Sequence, residues 1–136
     1  MAAFLDPLLA EKNLRLTVES GEIPNIQADA QQIKQALLNV ALNAIDASRP
    51  GTAILFQTIV SGENVIFRCR DHGKGMTPEQ MQKIFDPYVT FKAGGTGLGM
   101  SIVKRILDAH GGKIVITSRP EEGATVELHF PLVSDR

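Results

Sequence analysis

The chain has 136 residues, 43% apolar and 21% charged, which suits one domain with a real core and is too apolar for disorder. Its 14 Lys and Arg against 15 Asp and Glu leave a net charge of −1, which removes support for gripping a nucleic-acid backbone. A single cysteine, Cys69, rules out an internal disulfide and any Cys/His zinc spacing, and no apolar run nears the ~18 residues of a membrane span.

The elements follow in chain order. Met1-Ala2-Ala3 reads as a remnant of cloning. Leu14 to Val18 alternates at period two and predicts a strand, broken by Gly21 to Pro24. Asp29 is placed as a helix N-cap, with Gln32 in capping-box position. The helix runs to about Ala47, with Ile33, Leu37, Val40 and Ala44 on one stripe and Gln35, Asn39, Asn43 and Asp46 nearly opposite. Ala53–Val60 and Asn64–Arg70 predict a hairpin through Ser61-Gly62-Glu63. Thr77-Pro78-Glu79-Gln80 starts a short helix, halted by Asp86-Pro87. Residues 90–96 are irregular and Gly-rich. A helix from about Leu98 to Ala109 stops at Gly111-Gly112, and Lys113–Thr117 with Thr125–Phe130 predict a second hairpin. The order β-α-β-β-α-loop-α-β-β predicts an α/β two-layer sandwich: a mixed sheet of about five strands with about three helices on one face.

Three stretches carry residue types suited to chemistry. Asn39 and Asn43 lie one turn apart in a helix interior, where Asn is a poor choice. They read either as a solvated face or as oxygen ligands for Mg²⁺, which takes few protein ligands. Asp71-His72-Gly73-Lys74-Gly75-Met76 ends a strand with a carboxylate beside glycine backbone. It reads either as a turn or as an acceptor for an exocyclic amine with a flat ring close by. Gly95-Thr96-Gly97-Leu98-Gly99-Met100 runs into a helix, where bare N–H groups form an anion site. It matches neither a Walker A loop nor the Rossmann fingerprint. Half of the 12 glycines fall between Gly73 and Gly99.

In this order the stretches resemble the ATP-binding catalytic domain of sensor histidine kinases, within the group that also holds gyrase-type ATPases, Hsp90 and the MutL proteins. The resemblance covers roughly residues 5–133 of a single domain. Residues 35–44 (QALLNVALNA) resemble the N box, 71–75 (DHGKG) the G1 box, 85–92 (FDPYVTFK) the F box and 95–100 (GTGLGM) the G2 box. Gly123-Ala124-Thr125-Val126 resembles the closing strand. The wording is most like the nitrogen-regulation branch of bacterial two-component sensors.

The resemblance implies the Bergerat ATP-binding fold, with ATP and Mg²⁺ as cofactors. It implies that Asn43 ligates Mg²⁺ with Asn39 assisting, and that Asp71 accepts from the adenine amino group beside Gly73 and Gly75. Residues 85–97 would form the ATP lid, hinged at Phe85, with Lys92 reaching the γ-phosphate. Gly95, Thr96, Gly97, Leu98 and Gly99 would wrap the phosphates, and Met76, Met100 and Thr125 would line the nucleotide. Phe91 and Ala124 depart from the pattern, the latter where many relatives have Thr near adenine. Asn39 stands where the hydrolytic relatives carry a general-base Glu, and an amide cannot take a proton from water.

No phosphoacceptor is visible, since His72, His110 and His129 lack an acidic helical context. The expected partner is therefore a separate dimerisation and phosphoacceptor domain, with a response regulator reached indirectly. Contacts with nucleic acid or membrane are not expected, and a monomeric, cytoplasmic domain is. A stand-alone serine kinase of the anti-sigma type and a non-enzymatic ATP-sensing module remain open; the F box speaks against the first.

Overall fold

The computed structural model describes residues 2–20, 30–86 and 99–131. Its elements are α1 (Ala2–Glu11), β1 (Arg15–Ser20), α2 (Ala30–Ala47), β2 (Ala53–Ser61), β3 (Asn64–Asp71), α3 (Pro78–Lys83), α4 (Gly99–Ala109), β4 (Lys113–Ser118) and β5 (Ala124–Pro131). The strands form one sheet in the order β1-β2-β3-β5-β4. β1 and β2 are parallel because α2 carries the chain back between them. The other three pairings are antiparallel, two of them hairpins.

The register fixes the two faces of the sheet. Asp71 pairs with Ala124 and Ala124 with Ser118, so these three share a row. The same face carries Ile54, Val65, Phe67, Cys69, Val126, Leu128 and Phe130, all buried. α2 and α4 pack against each other and against this face. The sequence stripe on α2 is confirmed: Val40 and Ala44 are buried and Ile33 and Leu37 pack against the core, while Gln35, Asn43 and Asp46 are exposed. Across the sheet lies a polar face, where Arg68 Nε donates to Glu127 Oε2 at 2.7 Å and His129 Nε2 lies 3.1 Å from Glu127 Oε1.

The mixed sheet and its helices agree with the sequence expectation, with one addition. Residues 2–11 form a fourth helix. Pro7 inside it and its short length hid it in the sequence, since Pro lacks an N–H and usually breaks a helix. What stabilises it is tertiary: Leu5 and Leu9, one turn apart, are buried in the core, and α1 packs on α2. The Asp29 cap lies outside the described residues. No helix among the described residues is long and apolar enough to cross a membrane.

Candidate functional site

The site is built where α2, the loop after β3, the start of α4 and the β4–β5 hairpin meet. α2 sets Asn39 and Asn43 one turn apart, facing away from the apolar stripe. Asn39 is half-buried and engaged at both ends of its amide. Its Oδ1 accepts from Gln35 Nε2 at 2.9 Å, and its Nδ2 donates to the Gly99 carbonyl at 3.3 Å. That second bond spans 60 residues and ties α2 to the first residue of α4. Asn43 is exposed, and no described residue bonds its side chain. Its amide oxygen is a hard, neutral ligand of the kind that suits Mg²⁺.

Asp71 closes β3 and is 5% exposed. Its Oδ1 accepts from Gly73 N at 2.9 Å and from Ala124 N at 3.2 Å. Oδ2 accepts from no described residue. Burial pushes the carboxyl above its ordinary value, and the two N–H bonds and the charge of His72 oppose this only in part. Cys69, two residues back on the same face, is pushed up to about 12 by burial and then by Asp71, so its thiol is inert.

The loop from His72 to Thr77 is clamped on both sides. Lys74 N donates to the Ala47 carbonyl at 3.1 Å, and Gly73 pairs with Ser48, both at the end of α2. On the other side Gly123 N donates to Gly73 O at 3.1 Å and Glu121 N to Lys74 O at 2.7 Å. Arg49 pairs with Glu121 across the same gap. The glycines here are demanded by this clamp. A Cβ on Gly73 would overlap the Ala47 carbonyl oxygen. Gly75, at φ +65°, would collide with the Arg119 carbonyl.

Ser118 was not singled out by the sequence, yet it joins the loop to the hairpin. Its Oγ accepts from Met76 N at 2.9 Å and donates to Gly123 O at 2.7 Å. No local signal marks it, because its partner Met76 lies 42 residues away. Met76 and Met100 are both buried in the hydrophobic core. Thr77 begins α3, as the sequence predicts, and the structure adds a full capping box with Gln80. α3 leads into buried Ile84 and half-buried Phe85.

The structure therefore brings Asn39 and Gly99 together, and Asp71, Gly73, Gly75 and Met76 along one loop. It does not bring Thr125 to them. Side chains alternate along a strand, and Thr125 pairs with Arg70 and Thr117 on the face opposite Asp71 and Ala124. Lys92, Gly95, Thr96, Gly97 and Leu98 lie outside the described residues.

Comparison with known proteins places the geometry. Residues 28–134 match the family described as histidine kinase-, DNA gyrase B- and HSP90-like ATPase. The catalytic domain of histidine kinase ThkA superposes with a TM-score of 0.84 at 31% identity, covering 95% of this chain and 86% of that one. Full-length ShkA, solved in complex with AMPPNP, superposes with a TM-score of 0.84 at 28% identity, covering 98% of this chain and 29% of that one. The sensor histidine kinase ZraS of Escherichia coli K12 is 41% identical over 122 residues, 90% of this chain and 26% of that protein. The chain thus spans about a quarter of the length of the ZraS sequences it matches. With the family match, the ThkA superposition and a junction built from the N-box, G1 and G2 residues, the chain belongs to the histidine kinase-, DNA gyrase B- and HSP90-like ATPases, as a catalytic domain of the histidine-kinase kind.

Proposed function

We propose that this chain binds Mg-ATP and transfers its γ-phosphate to a histidine on a separate, dimeric phosphoacceptor domain, from which the phosphate passes to a response regulator. The observation that carries the reading is the junction around Asp71: a nearly sealed carboxylate, oriented by two backbone N–H groups, with glycine backbone on either side of it. In this reading Asp71 accepts from the adenine amino group, and Gly73, Gly75 and Met76 form the wall against which the base lies. The AMPPNP complex of ShkA, which shares the fold, supports a nucleotide here.

Asn43 is assigned to hold Mg²⁺, which when bound would spread the negative charge of the phosphates. Asn39 assists by fixing α4, whose N–H groups at Gly99 and Met100 face the anion. Lys92 supplies a compact cation to the γ-phosphate, and Gly95, Thr96, Gly97 and Leu98 follow the phosphates as the family resemblance implies. Phe85 anchors the start of the lid. Catalysis is by positioning and charge, the usual division of labour in phosphoryl transfer. The attacking imidazole comes from the partner domain. Asn39 in place of a general-base Glu favours transfer over hydrolysis.

The test is transfer of radiolabelled γ-phosphate to a supplied dimeric phosphoacceptor domain, followed by acid treatment. The expected product is acid-labile and is absent for Asn43→Ala. Undiminished transfer by that variant overturns the metal assignment. An acid-stable product supports a serine kinase instead, and binding without transfer supports an ATP sensor.

A further inference from the structure

We propose that Lys12, outside every motif named above, is a positioning residue for the base-binding loop. This rests on the reading of residues 71–76 as the adenine wall. The last carbonyls of a helix lack partners within it. At the end of α2 Ser48 serves the Ala44 carbonyl through its N at 3.0 Å and its Oγ at 2.6 Å and reaches Ile45 O at 3.3 Å, and two lysines serve the carbonyls that follow. Lys12 Nζ donates to Ile45 O at 2.9 Å, Asp46 O at 3.0 Å and Ser48 O at 3.1 Å, using all three of its N–H bonds. The remaining carbonyl, Ala47 O, is left for Lys74 N at 3.1 Å. Lys12 therefore holds three oxygens of the ring whose fourth oxygen holds the loop.

The placement is tied down from both directions. Gly51 N donates to Lys12 O at 3.0 Å and Leu14 N to Leu9 O at 2.9 Å, so the corner between α1 and β1 is fixed against the turn after α2. A cation beside a helix C-terminus also suits the dipole. From Ala47 the chain of contacts is short: Gly73 packs against the Ala47 carbonyl, and Gly73 N orients Asp71 Oδ1. Asn43 lies one turn before Ala47 on the same helix. Lys12 thus sets the end of α2, which in turn sets the loop and its carboxylate, without touching the nucleotide.

The experiment uses two readouts on Lys12→Met, which keeps the aliphatic stem and removes the ammonium. One is amide exchange at Lys74 in nucleotide-free protein; the other is ADP affinity by calorimetry. Leu9→Val, which loosens α1 without touching the α2 carbonyls, is the control. Lys12→Met should speed Lys74 exchange about tenfold relative to Leu128 and weaken ADP about fivefold to tenfold, as expected when a charged hydrogen-bond donor is lost. Leu9→Val should do neither. Wild-type exchange and affinity in folded Lys12→Met, or equal changes in Leu9→Val, overturn the proposal. Should Lys12→Met not fold, Lys12→Gln is read the same way. Should the wild-type chain not bind ADP, the nucleotide reading fails, and Lys74 exchange alone still decides the role of Lys12.

Discussion

Asp71 combines two demands that pull against each other. Burial raises its proton affinity above the 3.8 ordinary for an aspartate, while recognition of an amino group calls for the carboxylate. A folded chain that holds this proton more tightly than the unfolded chain loses stability as pH climbs from about 3.8 to the higher folded value. Asp71→Asn removes that slope, and its Oδ1 still accepts from Gly73 and Ala124. Thermal melts across this pH window should show a shallower decline for Asp71→Asn than for the wild-type chain. A steeper decline would mean that the carboxylate, not its burial, dominates. At the same scale Cys69 provides a check on packing. With its thiol pushed up to about 12, iodoacetamide near pH 8 should label the unfolded chain and leave the native one unlabelled.

The elements that carry a strong period were readable directly. α2 announced its apolar stripe, and both hairpins announced their alternation and turns. The start of α3 at Thr77-Pro78 was readable because its signal is local, although the capping box that Thr77 and Gln80 complete there was not singled out. Glycines were legible as a cluster, but their reason was not. Gly73 reads in sequence as a turn or as a bed for a ring, whereas in the fold it lets β3's loop press on the carbonyl end of α2. Gly73→Ala should therefore cost roughly 1–3 kcal/mol, the usual range for overpacking, measured by denaturant unfolding. A neutral result would mean that α2 and the loop can separate freely. Thr77→Ala should cost about 1 kcal/mol by the same measurement, through loss of its cap.

At the scale of the whole molecule, the fold class and the two hairpins were legible because helices and strands alternate in an order with few packed solutions, while the pairings of β1 with β2 and of β3 with β5 came only with the structure. What was not legible depends on contacts far apart in sequence. α1 is stabilised by burial in the core, against the local vote of Pro7. Ser118 and Lys12 act through partners 42 and about 34 residues away. The face that Thr125 occupies was not legible either, because one residue's shift along a strand reverses the face and only the register with β3 decides it. Leu5, 1% exposed, tests whether α1 is integral. Leu5→Ala should lower stability by about 2–5 kcal/mol, as large-to-small core changes do. Loss of well under 1 kcal/mol would make α1 an appendage.

The most direct test of the nucleotide site is calorimetric titration of ADP and of adenosine into the wild-type chain and into Asp71→Asn. The expected result is binding by the wild-type chain and at least about tenfold weaker binding of both ligands by the folded variant, since a site built around a buried acceptor suffers when that acceptor changes. Equal affinities in the two chains would contradict the assignment of Asp71 as the residue that reads the base.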